Sequence, residues 1–166
     1  MKTLHLMRHA KSSWADPQLG DHERELNERG RRDAPRMGRA LAEQIPAGPV
    51  HCSTAIRAQR TLEEMCKVWP ALAAQAHVTD SELYTFDAQD LVAWLQSLRA
   101  EDSTCFVLGH NPALTDLCNL LAGRPALDNL PTAGYLRFSV PVEQWIDLTE
   151  GIGVLEHYIF PKDLPS

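Results

Sequence analysis

The fold is decided by a short stretch near the N-terminus, Leu4-His5-Leu6-Met7-Arg8-His9-Ala10. A short apolar run of this kind is typical of a buried parallel strand, and this one ends on an arginine and a histidine. A second such run, Cys105-Phe106-Val107-Leu108-Gly109-His110, ends on a second histidine. Because ligands of open α/β sheets bind outside the carboxyl ends of such strands, we expect both histidines at one rim of the sheet.

Two arginines accompany the histidines. Arg8 directly precedes His9, and a third strand-like segment, Pro49-Val50-His51-Cys52-Ser53, runs into a helix that presents Arg57 one turn in. Two arginines and two histidines that converge on one edge predict an anion site that contains a nucleophile.

The rest of the chain alternates strands with helices. The pattern predicts strands near 3–8, 49–53, 104–109, 134–140 and 153–160, and helices near 27–45, 55–68, 87–99 and 112–122. This alternation predicts an α/β fold, a single three-layer α/β/α domain over residues 1–166 with a largely parallel central sheet and an antiparallel edge strand. Residues 11–26 lack a sustained period and residues 124–133 are punctuated by prolines, so both segments are predicted either to cover the rim or to be plain surface connections.

The composition limits the class of protein and of partner. Of the 166 residues, 44% are hydrophobic and 23% are charged, as in an ordinary globular domain. No apolar run approaches the roughly 20 residues of a membrane span, so we expect no membrane partner. The net charge of −6 argues against nucleic acid as a partner. Met1-Lys2-Thr3 leads straight into a strand without the apolar stretch of a secretory signal, which favours the cytoplasm. The sequence leaves the oligomeric state open.

The four cysteines are interpreted as reduced core thiols. They are Cys52, Cys66, Cys105 and Cys118, and no Cys-x-x-Cys pair occurs among them, so neither a zinc site nor a disulfide framework is indicated. A catalytic thiol at Cys52 stays open as an alternative, although nothing nearby in the sequence would activate it.

The two arginines and two histidines have the properties that phosphoryl transfer requires. Guanidinium groups bind the charged equatorial oxygens in bidentate fashion, which suits Arg8 and Arg57. Neighbouring arginines disfavour a protonated imidazole, so His9 is predicted to be a neutral nucleophile. His110 would add a donor to the phosphate oxygens, and the dipole of the helix that starts near Pro112 points the same way.

Other interpretations of these histidines stay open at this point. A single histidine at a strand end is more often structural than catalytic, and His5 is interpreted as a packing residue. Metal binding is less favoured, since no His-x-x-x-His helix or carboxylate cluster accompanies the histidines and an arginine next to a ligand opposes a cation. No glycine-rich nucleotide loop and no Gly-x-Ser-x-Gly elbow occurs, so we expect neither a cofactor nor a metal.

The residues around this predicted site resemble those of the histidine phosphatase superfamily. The signature of that superfamily is Arg-His-Gly near the N-terminus, and Arg8-His9-Ala10 matches it with alanine in place of glycine. Three further motifs follow in the right order. They are Leu26-Asn27-Glu28-Arg29-Gly30, Ser53-Thr54-Ala55-Ile56-Arg57-Ala58-Gln59-Arg60-Thr61 and Gly109-His110-Asn111-Pro112. The small size and the stretch Arg8 to Trp14 are most similar to the SixA-type phosphohistidine phosphatases.

The resemblance implies roles for individual residues. His9 would be the nucleophile that becomes phosphohistidine, and Arg8, Arg57 and His110 would hold the phosphate. Ser53 and Asn111 would support the pocket. Larger members supply a carboxylate as general acid to the leaving oxygen, and the counterpart in this chain would be Glu82. Glu82 is equally well explained as a solvated loop residue.

Together, the residues and the resemblance predict a metal-independent phosphatase that works through a covalent phosphohistidine on His9. The expected partner is a phosphorylated protein, dephosphorylated at phosphohistidine. Two alternatives stay open. One is a small-molecule phosphomonoesterase that uses Glu82, and the other is a non-catalytic module that binds phosphorylated proteins through the same arginines.

Overall fold

The centre of the molecule is a six-stranded sheet. The computed structural model describes residues 1–165, and Ser166, the last residue of the predicted domain, lies outside the described residues. The strands are β1 (Lys2–Arg8), β2 (Val50–Ser53), β3 (Val78–Asp80), β4 (Thr104–Gly109), β5 (Tyr135–Val140) and β6 (Val154–Ile159), in the spatial order β3-β2-β4-β1-β5-β6. The first four strands in this order are parallel, whereas β5 pairs antiparallel with β1 and β6 pairs antiparallel with β5.

Helices cover both faces of the sheet. They are α1 (Glu28–Gln44), α2 (Ile56–Val68), the short α3 (Pro70–Ala73), α4 (Ala88–Gln96) and α5 (Ala113–Ala122). Side chains of β1 alternate between two hydrophobic clusters: Leu4 and Leu6 pack with α4 and α5, and Met7 packs with α1 and α2. The three-layer α/β/α prediction with a largely parallel sheet and an antiparallel edge strand is therefore confirmed.

Helix boundaries follow local capping chemistry. The Asn27 side chain accepts a hydrogen bond from the Gly30 backbone at 2.9 Å, and the Asp87 side chain accepts one from Gln89 at 2.8 Å, so these residues begin α1 and α4. Gly123 ends α5 in the left-handed region with φ of 69°, a conformation that glycine adopts without strain.

Four features differ from the prediction. The sequence pattern did not include the short helix α3. The sequence pattern missed β3, which has only three residues, mostly exposed at the edge of the sheet, and so lacks an apolar run. Helix α4 ends at Gln96 rather than near residue 99. Residues 11–26 contain a 3-10 turn at Asp21–Glu23 and an isolated bridge between Ser12 and Leu26. Within residues 1–165, no helix combines the length and the apolar character needed to cross a membrane.

Candidate active site

His9 lies at the carboxyl end of β1, between two neighbouring strands. Its backbone N–H donates to the Gly109 carbonyl of β4 at 3.1 Å, and its carbonyl accepts from Ala133, just before β5, at 3.0 Å. The residue is only 6% exposed. Because both neighbours fix its backbone, the imidazole sits in a defined place at the rim of the sheet, as the strand pattern predicts.

The His9 ring is held as one neutral tautomer. Nδ1 lies 2.7 Å from the Ala10 carbonyl, which can only accept, so Nδ1 carries the proton. The lone pair is therefore on Nε2, where it accepts a hydrogen bond from Nε of Arg57 at 3.2 Å. Burial lowers the pKa of His9 well below its ordinary 6.5; the hydrogen bond to Ala10 opposes this shift, and the nearby His110, Arg57 and Arg8 add to it.

Arg57, in the first turn of α2, joins the elements of the site. Its side chain is 2% exposed and donates from Nε to His9 and from one terminal nitrogen to Nδ1 of His110 at 3.3 Å. The remaining contacts are to Asp21, whose backbone carbonyl accepts at 2.6 Å and whose carboxylate accepts at 3.0 Å. Because hydrogen bonds to three residues hold this buried guanidinium, its positive charge has a fixed position in the site.

His110 follows β4 and is also neutral. Since Nδ1 accepts from Arg57, the proton is on Nε2, which donates to Oγ of the fully buried Ser53 at 2.7 Å. Burial, followed by the charge of Arg57, lowers the pKa of His110 to about 3. The rings of His9 and His110 are 5.2 Å apart between centroids, so Ser53 orients a ring that packs against the ring of His9.

Arg8 supplies a donor that has no partner. One terminal nitrogen donates to the Leu130 carbonyl at 2.9 Å, whereas Nε is buried and makes no hydrogen bond with any residue from 1 to 165. Burial and the charge of Arg57 both lower the pKa of Arg8. A guanidinium that is only partly satisfied, beside a second cation, favours an anion at this point.

A pocket of about 180 Å³ brings five of the predicted residues together. Arg8, His9, Arg57 and His110 all line it, and Asn111 lines it as well. The Asn111 amide donates to the Leu130 carbonyl at 2.9 Å, and its oxygen accepts from the Thr115 backbone at 3.1 Å in the first turn of α5. Asn111 thus ties the segment 124–133 to the site.

The structure places Glu82 outside this pocket. Glu82 is exposed in the turn Ser81–Leu83 and lines an adjoining groove with Tyr84 and Trp94. The carboxylate that does line the pocket is Asp21, which the sequence reasoning missed. Asp16, Glu23 and Glu25 lie in the same irregular segment, so position alone did not single out Asp21.

Asp21 is an ionised member of the site. Besides its contacts to Arg57, its carboxylate accepts from Arg24 at 3.1 Å and from the Tyr84 hydroxyl at 2.6 Å. Partial burial would raise the pKa of Asp21, but the hydrogen bonds from Tyr84 and Arg57 and the Arg57 charge lower it to about 2. The segment 11–26 therefore contributes a fixed negative charge next to Arg57.

Two alternative chemistries receive no support from the geometry. Burial, with a smaller effect of Glu63, raises the pKa of the Cys52 thiol to about 12, so it is not a thiolate at neutral pH. Among residues 1–165, no group of three or more histidine, cysteine or carboxylate side chains is arranged to hold a metal ion.

Comparison with known proteins gives a consistent result. A family model described as histidine phosphatase superfamily (branch 1) matches residues 4–119. An uncharacterized protein of Mycobacterium tuberculosis is 31% identical over 166 residues, which cover 94% of this chain and 100% of the relative.

Solved structures share the fold over nearly the whole chain. A candidate phosphohistidine phosphatase SixA from Nakamurella multipartitia superposes with a TM-score of 0.80 at 26% identity, covering 96% of each chain. The protein histidine phosphatase SixA in complex with tungstate superposes with a TM-score of 0.77 at 21% identity, covering 97% of this chain and 98% of that one.

Proposed function

Because this chain belongs to the histidine phosphatase superfamily (branch 1), and is thus a phosphatase with a histidine nucleophile, we propose that it hydrolyses phosphohistidine in proteins through a covalent intermediate on His9. The protonation state and the orientation of the His9 ring support the assignment of His9 as the nucleophile. The proton sits on Nδ1, the lone pair sits on Nε2, and Nε2 points at the guanidinium of Arg57.

In the first step, Nε2 of His9 attacks phosphorus and a bond forms between them as the bond to the substrate imidazole breaks. Arg57 and Arg8, which both line the pocket, donate to the phosphoryl oxygens, and His110 lies beside them. In the phosphorylated ring, Nδ1 keeps its proton and donates it to the Ala10 carbonyl, which stabilises the positive charge that forms on the imidazole.

In the second step, water attacks phosphorus from the mouth of the pocket and the bond to Nε2 breaks. Both protons of the water stay on the departing dihydrogen phosphate, and His9 returns to its neutral form. Neither step requires a group that the pocket does not contain.

The carboxylates favour phosphohistidine over an alkyl phosphate ester. An alkoxide leaving group needs a general acid, but Glu82 lies outside the pocket and the pKa of Asp21 is about 2. When the other ring nitrogen of the substrate phosphohistidine is protonated, cleavage of the phosphorus–nitrogen bond releases a neutral imidazole. This leaving group needs no proton from an acid of the protein. The small-molecule phosphomonoesterase that depends on Glu82 is thus the weaker candidate.

Rapid-quench labelling tests the proposal. The wild-type chain and the variants His9→Ala and His157→Ala are mixed with a protein that carries radiolabelled phosphohistidine. His157 is the matched control, because it lies on β6 outside the pocket. Wild type and His157→Ala should release phosphate and carry acid-labile, alkali-stable label, whereas His9→Ala should do neither.

Three results would contradict parts of the proposal. Turnover by His9→Ala would exclude His9 as the nucleophile. Phosphate-dependent binding without label in the wild type would indicate the non-catalytic binding module. Faster turnover of glycerol phosphate than of the phosphoprotein, with a large loss in Glu82→Gln, would indicate the small-molecule phosphomonoesterase.

A further inference from the structure

The mouth of the pocket carries two exposed aromatic side chains, Trp14 and Phe86, which we name the aromatic rim. Building on the proposed function, we propose that the aromatic rim binds the leaving group and selects planar aromatic leaving groups, such as imidazole, over aliphatic ones. The proposal assigns these two residues a specificity role that is separate from the phosphoryl-binding residues.

Both side chains of the aromatic rim are exposed to solvent at the pocket. Trp14 is 73% exposed and Phe86 is 47% exposed, yet both line the same pocket as His9. Large apolar side chains in water are unfavourable, and where they gather at a pocket they mark a surface that a ligand covers. Of the exposed large hydrophobic residues described between 1 and 165, Tyr158 is the one other aromatic, and it lies on β6.

The second observation is that contacts with site residues fix both rings. Phe86 packs edge-on against Tyr84 and His110, with centroids 5.6 Å apart in each case. The guanidinium of Arg24 stacks on Trp14, with Cζ 3.5 Å from the ring centroid. Arg24 is itself 7% exposed and bonded to the Asp21 carboxylate. Rings that are held in this way pay little conformational entropy when they bind a ligand.

In-line displacement at phosphorus determines where the leaving group lies. The attacking and leaving atoms lie on opposite sides of phosphorus. His9 is 6% exposed, whereas the two rings of the aromatic rim are 73% and 47% exposed in the same pocket, so a leaving atom opposite His9 faces the aromatic rim. A planar imidazole can pack edge-on or offset against these rings at 4.5–7 Å. An aliphatic alcohol has no π-face and would bury hydroxyl groups against them.

A matched pair of substrates tests the proposal. Phosphoimidazole and phosphoramidate both contain a phosphorus–nitrogen bond, but only the first has a ring. We compare kcat/KM for both substrates in wild type, Trp14→Leu, Phe86→Leu and the control Ile146→Ala. Ile146 is 61% exposed and lies in the turn Trp145–Asp147, outside the pocket.

The aromatic rim variants should lose about 2- to 10-fold in kcat/KM for phosphoimidazole and change little for phosphoramidate. Ile146→Ala should match wild type on both substrates. An equal loss on both substrates, or no loss on either, would overturn the role of the aromatic rim and leave the proposed function intact. Failure of the wild type to form a phosphoenzyme from either substrate would instead overturn the proposed function, and this inference with it.

Discussion

Nε of Arg57 donates a hydrogen bond to Nε2 of His9 at 3.2 Å, so a buried cation holds the lone pair of the proposed nucleophile. The same contact disfavours protonation of the ring and fixes its orientation. In the proposed mechanism, a phosphoryl oxygen replaces His9 as the acceptor of the Arg57 Nε donor, and this exchange leaves the lone pair of Nε2 free to attack phosphorus. Arg57 is thus proposed both to restrain the His9 ring and to bind the phosphoryl group.

The first prediction concerns protonation. The pKa of His9 is lowered well below 6.5 and that of His110 is lowered to about 3, so both rings stay neutral as the pH falls through 6.5. In a nitrogen NMR titration, His110 should not titrate between about pH 5 and pH 8, and the midpoint of His9 should lie well below 6.5. His9 should show the proton on Nδ1 and His110 should show it on Nε2. A midpoint near 6.5 for either ring would contradict the account of the site.

The second prediction concerns Arg57. Arg57→Lys keeps the positive charge but removes the planar donors that contact His9, His110 and Asp21. We expect kcat/KM to fall by about 100-fold, since each hydrogen bond to a charged group is worth roughly 1.5–3 kcal/mol. Arg60→Lys is the control, because Arg60 lies one turn further along α2 and pairs with Glu25 and Glu63. A change of less than about threefold in Arg57→Lys would show that charge alone suffices.

The third prediction concerns Asp21. Its carboxylate occupies a donor of Arg57 and places a negative charge beside an anion pocket. In Asp21→Asn this charge is gone, so inorganic phosphate should inhibit about 3- to 10-fold more strongly. Asp16→Asn, in the same segment but outside the pocket, should leave inhibition unchanged. Weaker inhibition in Asp21→Asn would show instead that the carboxylate positions Arg57 for phosphate.

The positions of His9 and His110 could be predicted from the sequence, but the position of Asp21 could not. His9 and His110 could be placed at one rim because each follows an apolar strand, and periodicity is a backbone property that the sequence displays directly. Asp21 could not be placed, since it lies in a segment without period and reaches Arg57 through tertiary packing across 36 positions. The prediction missed the edge strand β3 for a related reason, because its three residues are mostly exposed and form no apolar run.

The position of the Glu82 side chain also could not be predicted from the sequence. A motif order can suggest a carboxylate near the leaving group, but whether the side chain reaches the pocket depends on how the turn Ser81–Leu83 packs. That turn directs Glu82 towards the groove of Tyr84 and Trp94, while the hydroxyl of Tyr84 contacts Asp21. Local sequence does not encode such a choice between two sides of one turn.

The last prediction concerns Gly30, which allows the first turn of α1 to approach the chain just after the nucleophile. The Lys11 carbonyl accepts from the Asn27 backbone at 3.0 Å, and a Cβ added at Gly30 would lie 2.2 Å from that carbonyl oxygen. Because both atoms belong to backbone, Gly30→Ala must push α1 away from Lys11. We expect the free energy of unfolding to fall by at least about 2 kcal/mol, and kcat/KM to fall as Lys11 shifts.

Gly48→Ala is the matched control for this prediction, since a Cβ at Gly48 meets nothing within 4 Å. It should change the free energy of unfolding by less than about 1 kcal/mol. Chemical denaturation of both variants, with kcat/KM measured at a temperature where each is folded, separates the two effects. If Gly30→Ala were as stable and as active as Gly48→Ala, the close approach of α1 to Lys11 would not be what holds the segment after His9 in place.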